Sequence, residues 1–150
     1  MEYTVELTID LPRARVVELF DDPDNLPKWQ EGLQSLEHIS GALGQPGAKS
    51  RLVYDMGRRQ VEMIETIEKR SLPDEFTGIY EASGVWNRVA NRFFEEGDST
   101  TRWQIDTEFR FSGFMKIMSV FMRSAFPKQT RHTMESFKTF AESEETRSDT

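Results

Sequence analysis

The sequence predicts an α+β domain of two layers, in which a curved antiparallel seven-stranded sheet wraps around a long C-terminal helix. Three observations predict it. Residues 3–11 alternate apolar and polar with a period of two. Six further runs, rich in β-branched and aromatic residues and separated by turn signals, fill positions 33–112. From Phe114 the apolar period becomes helical. A sheet with one apolar face and a helix with one apolar stripe each need a partner, and each suits the other.

The first strand places Tyr3, Val5, Leu7, Ile9 and Leu11 on one face and Glu2, Thr4, Glu6, Thr8 and Asp10 on the other. Pro12 suits a helix start, where its missing N–H costs little. "RARVVELFDD" then puts Val16, Val17 and Phe20 on one helical side, and Pro23 ends that helix. "DNLPKWQ" reads as a second short helical turn carrying Leu26 and Trp29. Strands are expected near 33–40, 48–56, 59–70, 75–83, 85–95 and 100–112, with breakers at "GALGQPG", Gly57, "LPD", Gly84 and "EGDS". The last is the clearest: Thr101, Trp103, Ile105, Thr107, Phe109 and Phe111 share one face, and the charged residues between them share the other. In 85–95 the period fits two phases. Either Asn87 and Asn91 or Arg88 and Arg92 face inward.

The terminal helix follows the i, i+3, i+4, i+7 rule through Phe114, Ile117, Met118, Phe121, Met122, Ala125 and Phe126, then through Met134, Phe137, Phe140 and Ala141. Pro127 removes a hydrogen bond and crowds the carbonyl of Arg123, so an interruption is expected there, with helices near 114–125 and 128–143. The single domain spans 1–143. Residues 144–150, polar throughout, read as a frayed helix end and flexible tail.

Composition excludes several functions. The chain has 150 residues, 37% hydrophobic and 30% charged, which fits one soluble globular domain. A formal charge of −7 argues against nucleic acid as a main partner. No cysteine is present, so disulfides, thiol nucleophiles and thiolate metal sites are excluded, and a cytoplasmic location is expected. "MEYTVELTID" has no basic segment leading into an apolar run, so no signal peptide is read there. No run approaches the roughly 18 uncharged apolar residues of a membrane span, and Lys116 and Arg123 break the greasiest one. His38 and His132 are the only histidines, and neither has a carboxylate at metal-ligand spacing. No phosphate-binding or nucleophile motif is present, so neither a cofactor nor a metal is expected.

The opening "YTVELTIDLPRARVVELFDDPDNLPKW", the strand region from "VEMIETIEKR" to "TEFRFSG", and the helix "FMRSAFPKQTRHTMESFKTFAE" together resemble the START-like (SRPBCC) superfamily, with its polyketide cyclase/dehydrase and Bet v 1 relatives. The likeness covers residues 2–143. It implies the helix-grip fold and a cavity between sheet and helix that takes hydrophobic small molecules. It implies no single activity, because such folds host many.

On that expectation the cavity wall comprises Tyr54, Met63, Glu65, Phe76, Tyr80, Trp86, Trp103, Ile105 and Phe109 from the sheet, with Phe114, Met118, Phe121 and Met122 from the helix. Flexible, polarizable Met side chains suit a surface that adapts to its guest. The bulky substitution Met118→Trp is therefore expected to fill the cavity. Glu65 shares a face with Val61, Met63 and Ile67. Facing inward among apolar neighbours it becomes an acid–base candidate with a raised pKa, unless Arg88 or Arg92 pairs with it. Trp29 either guards a cavity mouth or staples its helix to the sheet, and stapling is the expected role.

The leading reading is a binding module for a lipid-like or aromatic molecule. The alternative is a metal-free cyclase/dehydratase acting on a carbonyl-containing aromatic or polyketide substrate, with Glu65, Tyr80 or Arg88 orienting it. A third reading leaves the stripe 114–126 partly exposed for a homodimer or another partner.

Overall fold

The computed structural model describes residues 1–148. The chain runs β1 (Glu2–Ile9), α1 (Arg13–Phe20), a 3-10 turn (Pro23–Asn25), α2 (Leu26–Trp29), β2 (Leu33–Ser40), β3 (Lys49–Asp55), β4 (Gln60–Ser71), β5 (Glu75–Ala82), β6 (Val85–Glu95), β7 (Thr101–Phe111), α3 (Phe114–Phe121) and α4 (Ala125–Ser148). All seven strands form one antiparallel sheet in the order β1-β7-β6-β5-β4-β3-β2. Strands β2 to β7 are a plain meander, and β1 closes against β7 with Val5 opposite Ile105 and Leu7 opposite Trp103. The two short helices between β1 and β2 carry the chain from one edge of the sheet to the other.

The inner face holds what the alternation demands. Trp103, Ile105 and Thr107 on β7 are buried, as are Val5 and Ile9 on β1. The outer face is a lattice of surface ion pairs, including Arg88–Glu68 and Arg51–Glu62, both at 2.7 Å. Such pairs contribute little stability individually. Their larger effect is to settle the phase of β6. Arg92 pairs with Glu75 and Asp106 on the outer side, so Asn87, Val89, Asn91 and Phe93 face inward.

Packing is dense at one end of the sheet only. Phe137 and Met134 of α4, with Ala141 one turn on, are fully buried against Val16 and Leu19 of α1, Trp29 of α2, Phe93 and Trp103. The rings of Trp29, Trp103 and Phe137 meet edge to face, with Phe137 5.0 Å from Trp29 and 5.2 Å from Trp103. Trp29 is thus the staple expected of it. Lys138 donates to the carbonyl of Thr8 at 2.6 Å and Glu142 accepts from the amide of Asp10 at 2.9 Å, which ties the helix to the end of β1.

Three expectations are corrected. The helix breaks at Met122–Ser124, before Pro127, and α4 restarts at Ala125. Pro127 therefore lies in the first turn of α4, where its missing N–H has no intrahelical acceptor to lose. The helix also continues through 144–148, where a frayed helix end leading into a flexible tail is expected, and Arg15 holds Glu145 at 3.0 Å. The remainder of that tail, 149–150, lies outside the described residues. Finally, α3 stands off the core, so its apolar face is exposed: Phe121 is 80% and Phe114 71% accessible.

Candidate functional site

Where the dense end of the core stops, sheet and helix diverge. The half of α4 facing this region offers Phe126, Gln129, Thr130 and Thr133. Gln129, Thr130 and Thr133, which are shorter or more polar, do not fill the space as Met134 and Phe137 do further along. A cavity of about 640 Å³ results, walled by the inner faces of β3 to β7. Its rim includes Leu36 on β2, Leu43 in the β2–β3 loop and Met56 in the β3–β4 turn, all exposed.

Eight of the residues expected at the wall are brought together there: Tyr54, Met63, Glu65, Phe76, Tyr80, Trp103, Ile105 and Phe109. Five are not. Trp86 lies on the outer face, where Arg110 stacks on its ring at 4.3 Å. Phe114, Met118, Phe121 and Met122 belong to α3 and the turn after it, and none lines the cavity. Met118→Trp consequently adds bulk away from the cavity.

The polar part of the wall is organised around Glu65. The antiparallel register sets Glu65 on β4 directly opposite Tyr80 on β5 and Ser50 on β3. Tyr80 Oη donates to Glu65 Oε2 at 2.8 Å. Neither arginine weighed as a partner is available, since Arg88 holds Glu68 and Arg92 holds Glu75. Burial raises the Glu65 pKa above its ordinary value, and the Tyr80 hydrogen bond offsets only part of the rise. The Tyr80 phenol is pushed far up by burial and by the neighbouring Glu65 carboxylate. Tyr54, on the next strand, is raised to about 12 for the same two reasons. All three groups thus hold their protons more tightly than the free side chains do.

Gly78 makes the arrangement sterically feasible. A Cβ at that position would lie 3.0 Å from the Tyr80 ring and hydroxyl, so glycine leaves the phenol room to lie along the strand. "TGIY" carries that signal in the sequence, though only the register reveals what the glycine accommodates.

Around the wall other polar groups are satisfied within the protein. Asn87 Nδ2 donates to Thr107 Oγ1 at 2.6 Å, Asn91 accepts from Trp103 Nε1 at 3.1 Å, and Tyr3 and Thr130 share a hydrogen bond of 2.7 Å. Trp29 Nε1 is the exception: it is buried at the cavity wall and has no partner among the described residues. A buried donor left unmade is costly. Near the rim, Arg70 grips Asp21 through two hydrogen bonds of 2.7 and 2.6 Å, joining β4 to the end of α1.

Elsewhere, an open furrow of about 710 Å³ runs along α4 between Lys28, His132 and Phe140, with charged walls. His132 approaches Glu31 at 2.9 Å, and no group of three or more His, Asp or Glu among the described residues converges on a metal-sized site.

Glu65 has a measurable consequence for stability. Its folded-state pKa lies above the ordinary 4.5, so between those two values the folded protein binds more protons than the unfolded chain. Stability from this group is complete below 4.5 and is lost as pH rises through the raised value. Glu75 and Asp106 act oppositely. Ion pairing and hydrogen bonds hold both low, so their contribution is lost as pH falls. The difference between Glu65→Gln and wild type isolates Glu65: the variant is expected to have the higher Tm near neutral pH, with the gap closing toward about pH 4. A gap independent of pH in thermal melts would mean that Glu65 titrates as an ordinary exposed carboxyl.

Comparison with known proteins gives a consistent picture. The sequence model of the family described as polyketide cyclase / dehydrase and lipid transport matches residues 1–142. No functionally curated protein matches the sequence. Among solved structures, the ZhuI aromatase/cyclase from Streptomyces sp. R1128 superposes with a TM-score of 0.75 at 13% identity, covering 95% of this chain and 93% of that one. Ara h 8.0201 gives 0.73 at 14% identity, covering 95% and 98%. Norcoclaurine synthase from Thalictrum flavum, in complex with dopamine and hydroxybenzaldehyde, gives 0.69 at 15% identity, covering 93% and 85%. At these identities the likeness establishes the helix-grip fold.

Proposed function

The chain belongs to the polyketide cyclase/dehydrase and lipid transport family, and from that premise we propose that it binds a hydrophobic small molecule, lipid-like or aromatic, between the sheet and α4. The observation that carries this reading is the cavity itself. About 640 Å³ falls within the range of small-molecule sites, and its wall is mostly apolar with a few convergent polar groups. The guest's apolar body rests on Met63, Val89, Ile105 and Phe109, and a hydroxyl or carbonyl reaches the Glu65–Tyr80 pair. Each Å² of apolar surface removed from water contributes about 25 cal/mol.

Native mass spectrometry of protein purified from its own host tests this. A stoichiometric co-purifying mass, lost on denaturation, is the expected result. A bare protein that also takes up no fatty acid or polycyclic aromatic probe would overturn the reading.

One observation favours a second reading, a cyclase/dehydratase-type enzyme acting on a carbonyl-containing aromatic or polyketide substrate. Glu65 faces the cavity, has no cationic partner and is biased toward its protonated form. Protonated, such a carboxyl can donate a proton to a carbonyl; ionised, it can remove one from the carbon beside it. ZhuI and norcoclaurine synthase, named above, are enzymes on the same fold. Under this reading Glu65→Gln lowers turnover by about 10²- to 10⁴-fold while binding persists. Unchanged turnover would leave Glu65 as a binding group only.

A further inference from the structure

The segment from Phe109 to Met134 contains no Asp or Glu, yet carries Arg110, Lys116, Arg123, Lys128 and Arg131, in a chain whose net charge is −7. Its centre is α3, and Phe114, Ile117, Val120 and Phe121 share the face that α3 turns to solvent, at 71%, 58%, 71% and 80% accessibility. Lys116 lies on α3, Arg123 in the turn after it and Lys128 in the first turn of α4, and none joins an ion pair among the described residues. Elsewhere most arginines are paired across the sheet, so the unpaired cations are concentrated here.

The topology adds a second element. β7 ends and α3 begins at the end of the sheet where the β3–β4 turn lies. That turn is "MGRR", with Met56 56% exposed and Arg58 and Arg59 exposed. Its composition repeats that of α3: an apolar side chain beside unpaired cations. Gly84, in the β5–β6 turn at the same end, seats α3. Its φ is +74°, and a Cβ there would lie 3.0 Å from Met115 Cγ and Ser112 O. The helix is therefore held with its inner side, Met115, against the turn and its apolar face outward.

We propose that this end of the molecule is a peripheral docking surface for anionic lipid bilayers, with Phe114, Ile117, Val120 and Phe121 entering the interface and Lys116, Arg123, Lys128 and the Arg58–Arg59 pair meeting lipid phosphates. Charge decides between this occupant and a second copy of the chain. A two-fold dimer sets the same patch against itself. Here that sets the cations of two acid-free α3 segments together, and the exposed acids at this end, Asp55 and Glu81, lie on β3 and β5 outside those segments. A negatively charged surface with an apolar layer beneath satisfies both halves of the patch. The docking stands on α3 and the β3–β4 turn alone and does not depend on what fills the cavity. Met56 belongs to both the docking end and the cavity rim, which places a guest's way in beside the membrane.

The full chain is tested by flotation with phosphatidylcholine vesicles, with and without about one-fifth phosphatidylglycerol. Wild type is expected to float with the anionic vesicles only, and to be released by high salt. Each of Lys116→Ala and Arg123→Ala is expected to weaken binding about fivefold, and Phe121→Asp about tenfold or more. Phe121→Trp, which keeps an interfacial ring, retains binding and covers the case in which Phe121→Asp fails to fold. Met63→Trp, confined to the cavity, leaves flotation unchanged. Wild type that stays unbound on anionic vesicles, or binds neutral ones equally, overturns the proposal. So does a dimer in light scattering that Phe121→Asp dissolves, since a second copy then covers the face.

Discussion

Replacing Phe137 with alanine is expected to lower the unfolding free energy by about 3–5 kcal/mol, read as a shift of the urea midpoint at unchanged slope. Domains of this kind have only about 5–15 kcal/mol in total, so the variant should be barely folded at 37 °C. The magnitude follows from position. Phe137 is fully buried and its ring lies within about 6 Å of Phe20, Trp29, Trp103 and Phe140. Removing it opens a void that α1, α2 and β7 border, and three packed elements do not collapse together cheaply. Phe126, three turns earlier on α4, supplies the control. Its ring meets Phe109 and Phe111, but its other side faces the cavity, so Phe126→Ala is expected to cost clearly less. Equal losses at the two sites would mean that the core has no dense end and open end, and the cavity would lose its physical basis.

Met63→Trp is expected to abolish uptake of an apolar guest while the protein stays folded. Met63 lies mid-β4 opposite Leu52 on β3, with its side chain at the cavity wall, so an indole there projects into open space. Overpacking normally costs about 1–3 kcal/mol because a close-packed core has nowhere to send the added atoms. Here the space already exists, and stability should fall little or rise. Fluorescence titration with a polycyclic aromatic probe, paired with a thermal melt, separates the outcomes. Retained uptake would place the guest elsewhere. Lost uptake with a much lower Tm would show that Met63 is core.

Much of the fold and part of the site were legible in the sequence. The alternation in β1 and β7 specified an inner face, because the strand period of two leaves only two choices and one of them buries Arg102, Asp106 and Glu108. The same logic put Glu65 beside Met63 on the inner face of β4. In β6 it failed, because both phases mix aromatic and polar residues. What settled that strand was lateral: outward arginines met Glu68, Glu75 and Asp106 on neighbouring strands. No reading along a single strand contains those partners.

The sequence by itself determined which residues share a face, and hence a two-layer domain with one apolar interior and a carboxyl in it. The tertiary structure decided what each face meets. A helical period looks the same whether its stripe packs on a sheet or points to solvent, so the period of α3 fits a cavity wall and an exposed face equally, and the structure turns it to solvent. It also decided where the interior is left unfilled, because a cavity is the space between surfaces set by separate elements. Gln129, Thr130 and Thr133 form its helical side only because α4 passes over β4 to β7 at that point.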